Sequence, residues 1–391
     1  MFVPEPPVLA QLERITPSIY EASMHCLAKA AWFAFGNGNA LPQHPAAILG
    51  TAFHAVLAAA HTGDLQVANA GDRAPARILF DKTARELHQK AHPLVKLKFR
   101  SADRLPFYNL HRERSARIAT PIAVSRTASS GSAAGAARPN ELAAKTEFRL
   151  CSKDGRIVGR ADHIDGPSGT VLDYKTGQAP EGEAGAGTVS DYEVRQLRLY
   201  AYLAAENGIV VDKGVIVRGD GRRDEIAVSQ ADAGAEADRA REQLGKLNAA
   251  VAGGASCRDL ASPSSKNCAF CPCIPFCESF WAAAQPEWAA DCGAHIEGNV
   301  TEAETRQIHG VSLTTLVLSR RAGTLPAQSV SVEQIPSEWM RVNGSNPPCA
   351  GEAVRVVHGR LMESNESAVV VRVDKALTAV WGLPRDNSDG G

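Results

Sequence analysis

Two predicted strands that each carry an aspartate constrain the fold of this chain more than any other feature. Residues 171–175 read Val-Leu-Asp-Tyr-Lys, and because side chains two apart on a strand share a face, Asp173 and Lys175 point the same way. The predicted strand before them carries Asp162, and the Gly-Pro-Ser-Gly sequence at 166–169 is typical of a turn. We therefore expect a β-hairpin that brings Asp162 next to Asp173.

Two neighbouring carboxylates repel each other unless a divalent cation lies between them. The ammonium group of Lys175 could then orient or activate an attacking water, while the metal stabilises charge on a phosphate that is being cleaved. The pair thus indicates a metal-assisted hydrolysis site. In a competing structural interpretation, both aspartates end strands in turns and Lys175 is a surface cation. An Asp-x-Lys tripeptide on its own favours that structural interpretation.

Further polar residues occur in order around the predicted hairpin. His54 lies in a predicted helix, and Glu147 lies on the strand before the hairpin. Gln196 and Tyr200 follow it and are four residues apart, so they share one face of a predicted helix. In this order the residues resemble the RecB-like branch of the PD-(D/E)xK nuclease superfamily. Its pattern is a His-bearing helix, a Gly-Arg-Ile/Ala-Asp strand, an Asp-Tyr-Lys strand and a Gln-x-x-x-Tyr helix, and the resemblance covers about residues 15–285.

The resemblance implies an α/β fold, a restriction-endonuclease-like core with a mixed central sheet flanked by helices. It implies that Mg²⁺ or Mn²⁺ is bound by three side chains and one backbone carbonyl, those of His54, Asp162, Asp173 and Tyr174. It further implies that Lys175 acts on the nucleophilic water and that Gln196 and Tyr200 hold either the DNA strand or the lysine. Glu147 would supply a more distant carboxylate.

Four of the nine cysteines fall between residues 268 and 277. Cys268, Cys271 and Cys277 have the spacing C-x₂-C-x₅-C, and they need a fourth ligand because tetrahedral zinc and a [4Fe–4S] cluster both take four. Cys26 is a candidate for that ligand. Packing of buried thiols does not explain so dense a group, and zinc and an iron–sulfur cluster stay open as alternatives.

The arrangement resembles that of the Cas4-like iron–sulfur nucleases, in which one distant N-terminal cysteine and three cysteines after the core share one cluster. The resemblance implies a [4Fe–4S] cluster that is held by Cys26, Cys268, Cys271 and Cys277. Such a cluster would join the N-terminal helix to the end of the core and close a very long loop. Cys273 could replace a neighbouring ligand, and Cys257 is a more remote substitute. The remaining three are interpreted as ordinary residues, namely Cys151, Cys292 and Cys349.

The charge of the chain is nearly balanced overall but uneven along its length. Against 42 Lys and Arg residues stand 43 Asp and Glu, yet residues 73–117 hold twelve cations and four acidic residues, an excess of +8. Cations alternate there with aromatic residues, which suits a single strand because cations contact phosphates and rings stack on bases. A solvated amphipathic surface explains the same residues equally well. They are Lys96, Lys98, Arg100, Arg104, Phe107, Tyr108, His111, Arg112 and Arg114.

Composition and periodicity divide the chain into four parts. Residues 1–120 are predicted to be a helical part with Cys26 and the basic segment, and residues 121–144, rich in Ser, Ala and Gly, to be a flexible connector. Residues 145–290 would form the nuclease core and the cysteine cluster. Residues 291–391 are strand-like and predict a small β domain, OB-like or another barrel, that binds single strands or, at least as well, a protein partner.

The N-terminus lacks a signal-peptide pattern and no apolar run nears about 18 residues, which predicts a cytoplasmic protein without membrane association. Exonuclease or endonuclease action, tolerance of RNA and the pathway stay open. No Walker A motif is present, so DNA unwinding would need a helicase partner. The alternative function is a catalytically idle DNA-binding or scaffold subunit of a helicase–nuclease, CRISPR or defence complex. The main prediction is a Mg²⁺- or Mn²⁺-dependent DNA nuclease, acting on single strands or DNA ends, with a structural [4Fe–4S] cluster.

Overall fold

The computed structural model describes residues 3–37, 40–131, 145–176, 189–269, 271–341, 347–364 and 368–383. Of the predicted connector 121–144, only the part up to residue 131 lies within these ranges. That part is not a connector but the end of a helix, Tyr108–Gly131. Its small residues allow close packing, because Ala116, Ala119 and Ala123 are buried against a neighbouring helix.

Helices precede the first strand in the described ranges. They are α1 (Pro17–His25), α2 (Leu27–Phe35), α3 (Pro45–Thr62), α4 (Ala74–Lys90), α5 (Pro93–Lys98) and α6 (Tyr108–Gly131). α1 begins where the side chain of Thr16 accepts a hydrogen bond from the backbone N–H of Ile19. α3 ends at Gly63, whose φ of 86° is left-handed and therefore suits glycine.

One of these helices corrects an expectation. By length and composition, α3 is apolar enough to cross a membrane, although no such run was expected. Its apolar residues Leu49, Phe53 and Val56 are buried in a cluster that also contains Tyr174. Packing inside the protein therefore accounts for part of the apolar composition of this helix, of which 44% is buried.

A five-stranded sheet carries the predicted site residues. In spatial order its strands are β1 (Lys145–Cys151), β2 (Val158–Asp165), β3 (Thr170–Lys175), β4 (Lys213–Arg218) and β5 (Arg223–Ala227). β3 and β4 are parallel, and the helix α7 (Asp191–Glu206) makes the crossover between them. One buried cluster packs α3, α4 and α6 on one face, and a second packs α1, α7 and α8 (Gln230–Ala252) on the other. The predicted mixed sheet flanked by helices is confirmed.

The cysteine segment and a second sheet follow. The segment contains α9 (Ser265–Cys268), α10 (Glu278–Ala283) and α11 (Ala289–Cys292). The strands are β6 (Ala294–Ile308), β7 (Val311–Gly323), β8 (Ser329–Pro336), β9 (Ala353–Ser364), β10 (Ala368–Val373) and β11 (Ala379–Gly382), with α12 (Ser337–Met340) after β8. Because β10 pairs with both β8 and β9, strands β6, β7, β8, β10 and β9 close into a ring. The OB-like interpretation of this barrel stays a prediction.

Buried contacts attach the barrel to the rest of the chain. Trp339 and Trp381 belong to the same apolar cluster as Cys271. The ammonium group of Lys98 donates a hydrogen bond to the carbonyl oxygen of Thr378. Removal of the barrel would expose this cluster, so the barrel contributes to the core around the cysteines.

Candidate active site and cysteine pocket

The two aspartates meet where β2 and β3 separate. The last paired residues of the hairpin are His163 and Leu172, and continuing this register puts Asp162 opposite Asp173. The carboxylate of Asp162 takes the place of the next ladder bond, because its Oδ2 accepts a hydrogen bond of 2.8 Å from the backbone N–H of Tyr174. The predicted hairpin thus brings both carboxylates to one end of the strands.

His54 reaches Asp162 from α3. Its Nδ1 lies 3.1 Å from Oδ1 of Asp162, and potential ligand atoms of His54, Glu147 and Asp162 all lie within 4.8 Å of one another. Burial lowers the pKa of His54, but the hydrogen bond and charge of Asp162 outweigh burial and raise the pKa above its ordinary value. Burial and the charge of Asp162 also raise the pKa of Glu147. Negative charge therefore accumulates at a place where a cation would relieve it.

Asp173 begins a chain of polar contacts that leads to α7. Its Oδ2 lies 2.7 Å from Nζ of Lys175, which donates a hydrogen bond of 2.9 Å to Oε1 of Gln196. Nε2 of Gln196 donates to the hydroxyl oxygen of Tyr200 over 3.3 Å, and the ring of Tyr192 lies 5.3 Å from the ammonium group. The four residues predicted from the sequence, Asp173, Lys175, Gln196 and Tyr200, are thus in one network.

The side chain of Asp173 is buried. Burial and the charge of Asp162 raise its pKa to about 6, although Lys175 acts in the opposite direction. Its Oδ2 also accepts no well-oriented hydrogen bond within the described part of the chain, despite the short distance to Lys175. A buried carboxylate oxygen without a directed donor, beside a second carboxylate, is a donor set that fits a hard divalent cation. We call His54, Glu147, Asp162, Asp173 and Lys175 the carboxylate site.

A glycine on β2 positions the helix that carries Gln196 and Tyr200. A Cβ atom at Gly159 would lie 3.0 Å from Cε1 of Tyr200 and 3.1 Å from Cδ1 of Leu203. The missing side chain therefore lets α7 approach the strand closely enough for its polar residues to reach Lys175. At the start of α7, a buried ion pair between Glu193 and Arg218 of β4 fixes the helix to the sheet.

Sequence reasoning missed two histidines behind the carboxylate site. The rings of His61 and His163 stack with centroids 3.7 Å apart, and Nε2 of His61 lies 2.6 Å from the hydroxyl oxygen of Tyr174. Burial lowers the pKa of His61 to about 3 and that of His163 to about 4, so both rings are neutral at pH 7. His61 follows His54 by two helical turns, and this spacing is the signal that could have identified it.

Five cysteines come together in a small cavity. It is lined by Cys26, Cys268, Cys271, Cys273 and Cys277, together with residues such as Lys29 and Phe280. We call these five cysteines the cysteine pocket. Four thiolates around one cavity are the donor set of zinc or a [4Fe–4S] cluster, so the residues present fit either group.

The environment of the thiols differs from one to the next. A hydrogen bond from Cys273 lowers the pKa of Cys271 to about 7, whereas burial raises the pKa of Cys268 to about 12 and that of Cys277 to about 11. Cys257 lies apart from the pocket, with its Sγ 3.7 Å from the carbonyl oxygen of Pro7.

The predicted basic surface is only partly available to a ligand. Lys98 is buried under the ring of Trp339, and burial lowers its pKa to about 7. Arg112 makes two hydrogen bonds, of 2.7 and 2.9 Å, to Asp81, which also accepts one of 2.7 Å from the hydroxyl of Tyr108. These three residues are structural, and the prediction that they face DNA is not supported. Lys96, Arg100, Arg104 and Phe107 have exposed side chains.

Comparison with known proteins supports one family. Residues 14–278, about two thirds of the chain, match the family described as the PD-(D/E)XK nuclease superfamily. A search of curated proteins gave no significant match.

Proposed function

Because the chain belongs to the PD-(D/E)XK nuclease superfamily, whose members act on nucleic acids with divalent metal ions, we propose that it is a deoxyribonuclease for single strands or DNA ends. The observation that carries this proposal is the contact of Lys175 with both Asp173 and Gln196, beside the pair of His54 and Asp162. Sequence order alone predicted this set, and its side chains occupy one end of the β2–β3 hairpin.

The proposed metal ligands are His54, Asp162, Asp173 and the backbone carbonyl of Tyr174, with Glu147 at the edge of the set. When bound, Mg²⁺ or Mn²⁺ would stabilise negative charge on the phosphate that is cleaved. Hydrogen bonds within the chain orient the carboxylate of Asp162 and the ammonium group of Lys175. The N–H of Tyr174 orients Asp162, and Gln196 holds the ammonium group of Lys175.

The protonation of Lys175 defines its proposed role. Burial lowers the pKa of this side chain, but the charge of Asp173 outweighs burial and raises the pKa above its ordinary value. The ammonium group therefore keeps its proton at neutral pH. We infer that Lys175 acts as a hydrogen-bond donor to the attacking water or to the phosphate oxygens, rather than as a general base.

We propose a [4Fe–4S] cluster as the occupant of the cysteine pocket, with Cys26, Cys268, Cys271 and Cys277 as ligands. The contact between Cys271 and Cys273 supports Cys273 as a fifth thiol that adjusts a ligand through a hydrogen bond. Anaerobic purification should give a coloured protein with about four iron and four sulfide ions per chain. One zinc ion per chain without iron would overturn the cluster and establish the zinc alternative.

The first test of the nuclease is cleavage of end-labelled single- and double-stranded DNA by anaerobically purified protein with Mn²⁺. Lys175→Ala should lower the cleavage rate by about 10²–10³-fold, the effect of losing one hydrogen-bond donor in the transition state. Lys153→Ala is the matched control, since Lys153 is 77% exposed and lies 3.9 Å from Glu206. Equal cleavage by the two variants would remove Lys175 from the active site. Binding of DNA without cleavage by any of the proteins would instead favour the scaffold subunit.

A further inference from the structure

Two arginines of α6 lie where the strands of the carboxylate site end. Nη1 of Arg114 lies 3.4 Å from the carbonyl oxygen of Thr176, the residue after Lys175. Nη2 of Arg117 donates a hydrogen bond of 3.1 Å to the carbonyl oxygen of Gly219. Gly219 follows Arg218, which is the register partner of Lys175 on β4. The two guanidinium groups therefore contact the backbone one residue beyond Lys175 on β3 and one residue beyond its register partner on β4.

Neither arginine has an acidic partner among the residues that the structure describes. Within the described residues, no carboxylate oxygen lies within 4.0 Å of the guanidinium nitrogens of Arg114 or Arg117, whereas Arg112 on the same helix is paired with Asp81 at 2.7 Å. A guanidinium group has five N–H donors, and the carbonyl contacts use only part of them. In the described part of the chain, two positive charges without a carboxylate partner, each with further N–H donors, are thus close to the end of β3.

Glycines of the β4–β5 turn hold these arginines in place. A Cβ atom at Gly219 would lie 3.2 Å from Cδ of Arg114 and 3.0 Å from the carbonyl oxygen of Thr176. Gly221 has a left-handed φ of 89°, and a Cβ atom there would lie 3.6 Å from Nη2 of Arg117. The turn therefore lets both side chains lie across its backbone, which orients their charged ends more firmly than free surface arginines.

We propose that Arg114 and Arg117 bind a backbone phosphate of the DNA strand beside the phosphate that is cleaved, and so fix where the strand lies in the site. A guanidinium group binds phosphate through paired hydrogen bonds, and such contacts position a strand without reading its sequence. Binding at one side of the active site restrains the strand before cleavage. This inference rests on the proposed nuclease function and names the contacts through which its substrate is placed.

The test measures binding and cleavage separately. Binding of a fluorescent single-stranded oligonucleotide is measured in the Lys175→Ala protein, where the strand is not cut, with Arg114→Gln or Arg117→Gln added. Each added substitution should weaken binding roughly tenfold and reduce the slope of log K against log salt by about 0.7. Arg341→Gln, which changes an exposed arginine after α12, is the control and should change neither.

Cleavage by each arginine variant with Lys175 intact gives the second readout. Half-saturation should need roughly tenfold more DNA, and the distribution of cut positions on an end-labelled strand should broaden. Arg117 is exposed, so its variant keeps the inference testable if Arg114→Gln lowers stability. Wild-type cleavage with arginine variants identical to Arg341→Gln would overturn this inference and leave the nuclease standing. Absence of DNA binding by the Lys175→Ala parent protein would count against the proposed function itself.

Discussion

The carboxylate site brings several carboxylates together and the cysteine pocket brings several thiols together, but the first is partly exposed and the second lies among apolar side chains. In the carboxylate site, the side chains of His54 and Lys175 are 29% and 23% exposed. The charged groups come from separate helices and strands. All cysteines of the cysteine pocket except Cys26 belong to, or pack against, an apolar cluster that contains Trp32, Phe276 and Trp281. We infer that substitutions in the carboxylate site change chemistry and that substitutions in the cysteine pocket change folding.

The largest expected effect is that of Cys271→Ser. Because a structural metal group contributes its binding free energy to folding, loss of one of the proposed cluster ligands should cost more than about 5 kcal/mol, comparable to the stability of a whole domain. Thermal melting and iron content of the purified protein are the measurements. Cys151→Ser, at an exposed cysteine, should keep both values. A Cys271→Ser protein that melts normally and contains iron would show that Cys271 is not a required ligand.

Arg355→Ala tests the contact of the barrel with the cysteine segment. Its guanidinium group makes hydrogen bonds of 2.7 Å to Glu297 and Glu278 and of 2.8 Å to the carbonyl oxygen of Pro275. In the described part of the chain, removal leaves the buried Glu297 with Arg321, 3.8 Å away, as its remaining cationic partner. The free energy of unfolding should fall by about 3–5 kcal/mol.

Urea unfolding measures this difference. Arg372→Ala is the control because Arg372 is 46% exposed and lies 3.7 Å from Glu333, and it should cost less than about 1 kcal/mol. The cleavage rate per folded molecule should stay unchanged in both variants. Equal stabilities of the two variants would mean that the barrel is attached more loosely than the buried contacts indicate.

A pH effect should distinguish the carboxylate site in the metal-free protein. The pKa of Asp173 is raised from 3.8 to about 6, so the folded state binds a proton that the unfolded chain has released. The stability from this proton is complete below about pH 4 and is lost as pH rises through 6, on the order of 3 kcal/mol. Asp173→Asn should abolish this part of the pH dependence while it abolishes cleavage.

Urea unfolding between pH 4 and 7, without metal, compares Asp173→Asn with wild type and with Asp238→Asn, at an aspartate that is 80% exposed. Other carboxylates titrate in the same range, so the difference between the curves is the decisive quantity. Mn²⁺ should stabilise the wild-type protein at pH 7 but stabilise Asp173→Asn much less. Parallel curves for all three proteins would mean that burial and the charge of Asp162 do not raise the pKa of Asp173 in the folded protein.

The contrast also explains what the sequence could predict. Strands β1 to β3 and helix α7 follow from their periods, and the order of His54, Asp162, Asp173 and Lys175 predicted a group of residues that the fold brings together. The expectations that were wrong concern residues that the fold buries. Neither the packing of Ala123 in α6 nor the burial of Lys98 under Trp339 has a local signal, because both depend on elements distant in sequence.

The smallest effect on stability is expected for His54→Ala. This variant tests most closely whether substitutions in the carboxylate site change chemistry rather than folding. Its hydrogen bond to Asp162 spans 3.1 Å, and the side chain is partly exposed, so the free energy of unfolding should change by less than about 1 kcal/mol. Loss of a proposed ligand should raise the Mn²⁺ concentration for half-maximal cleavage by about 10–100-fold. His25→Ala is a matched control, since His25 also lies 3.1 Å from a carboxylate, that of Glu21, on an exposed helix face. If His54→Ala instead unfolded the protein with an unchanged Mn²⁺ requirement, His54 would support the fold, and the carboxylate site would resemble the cysteine pocket.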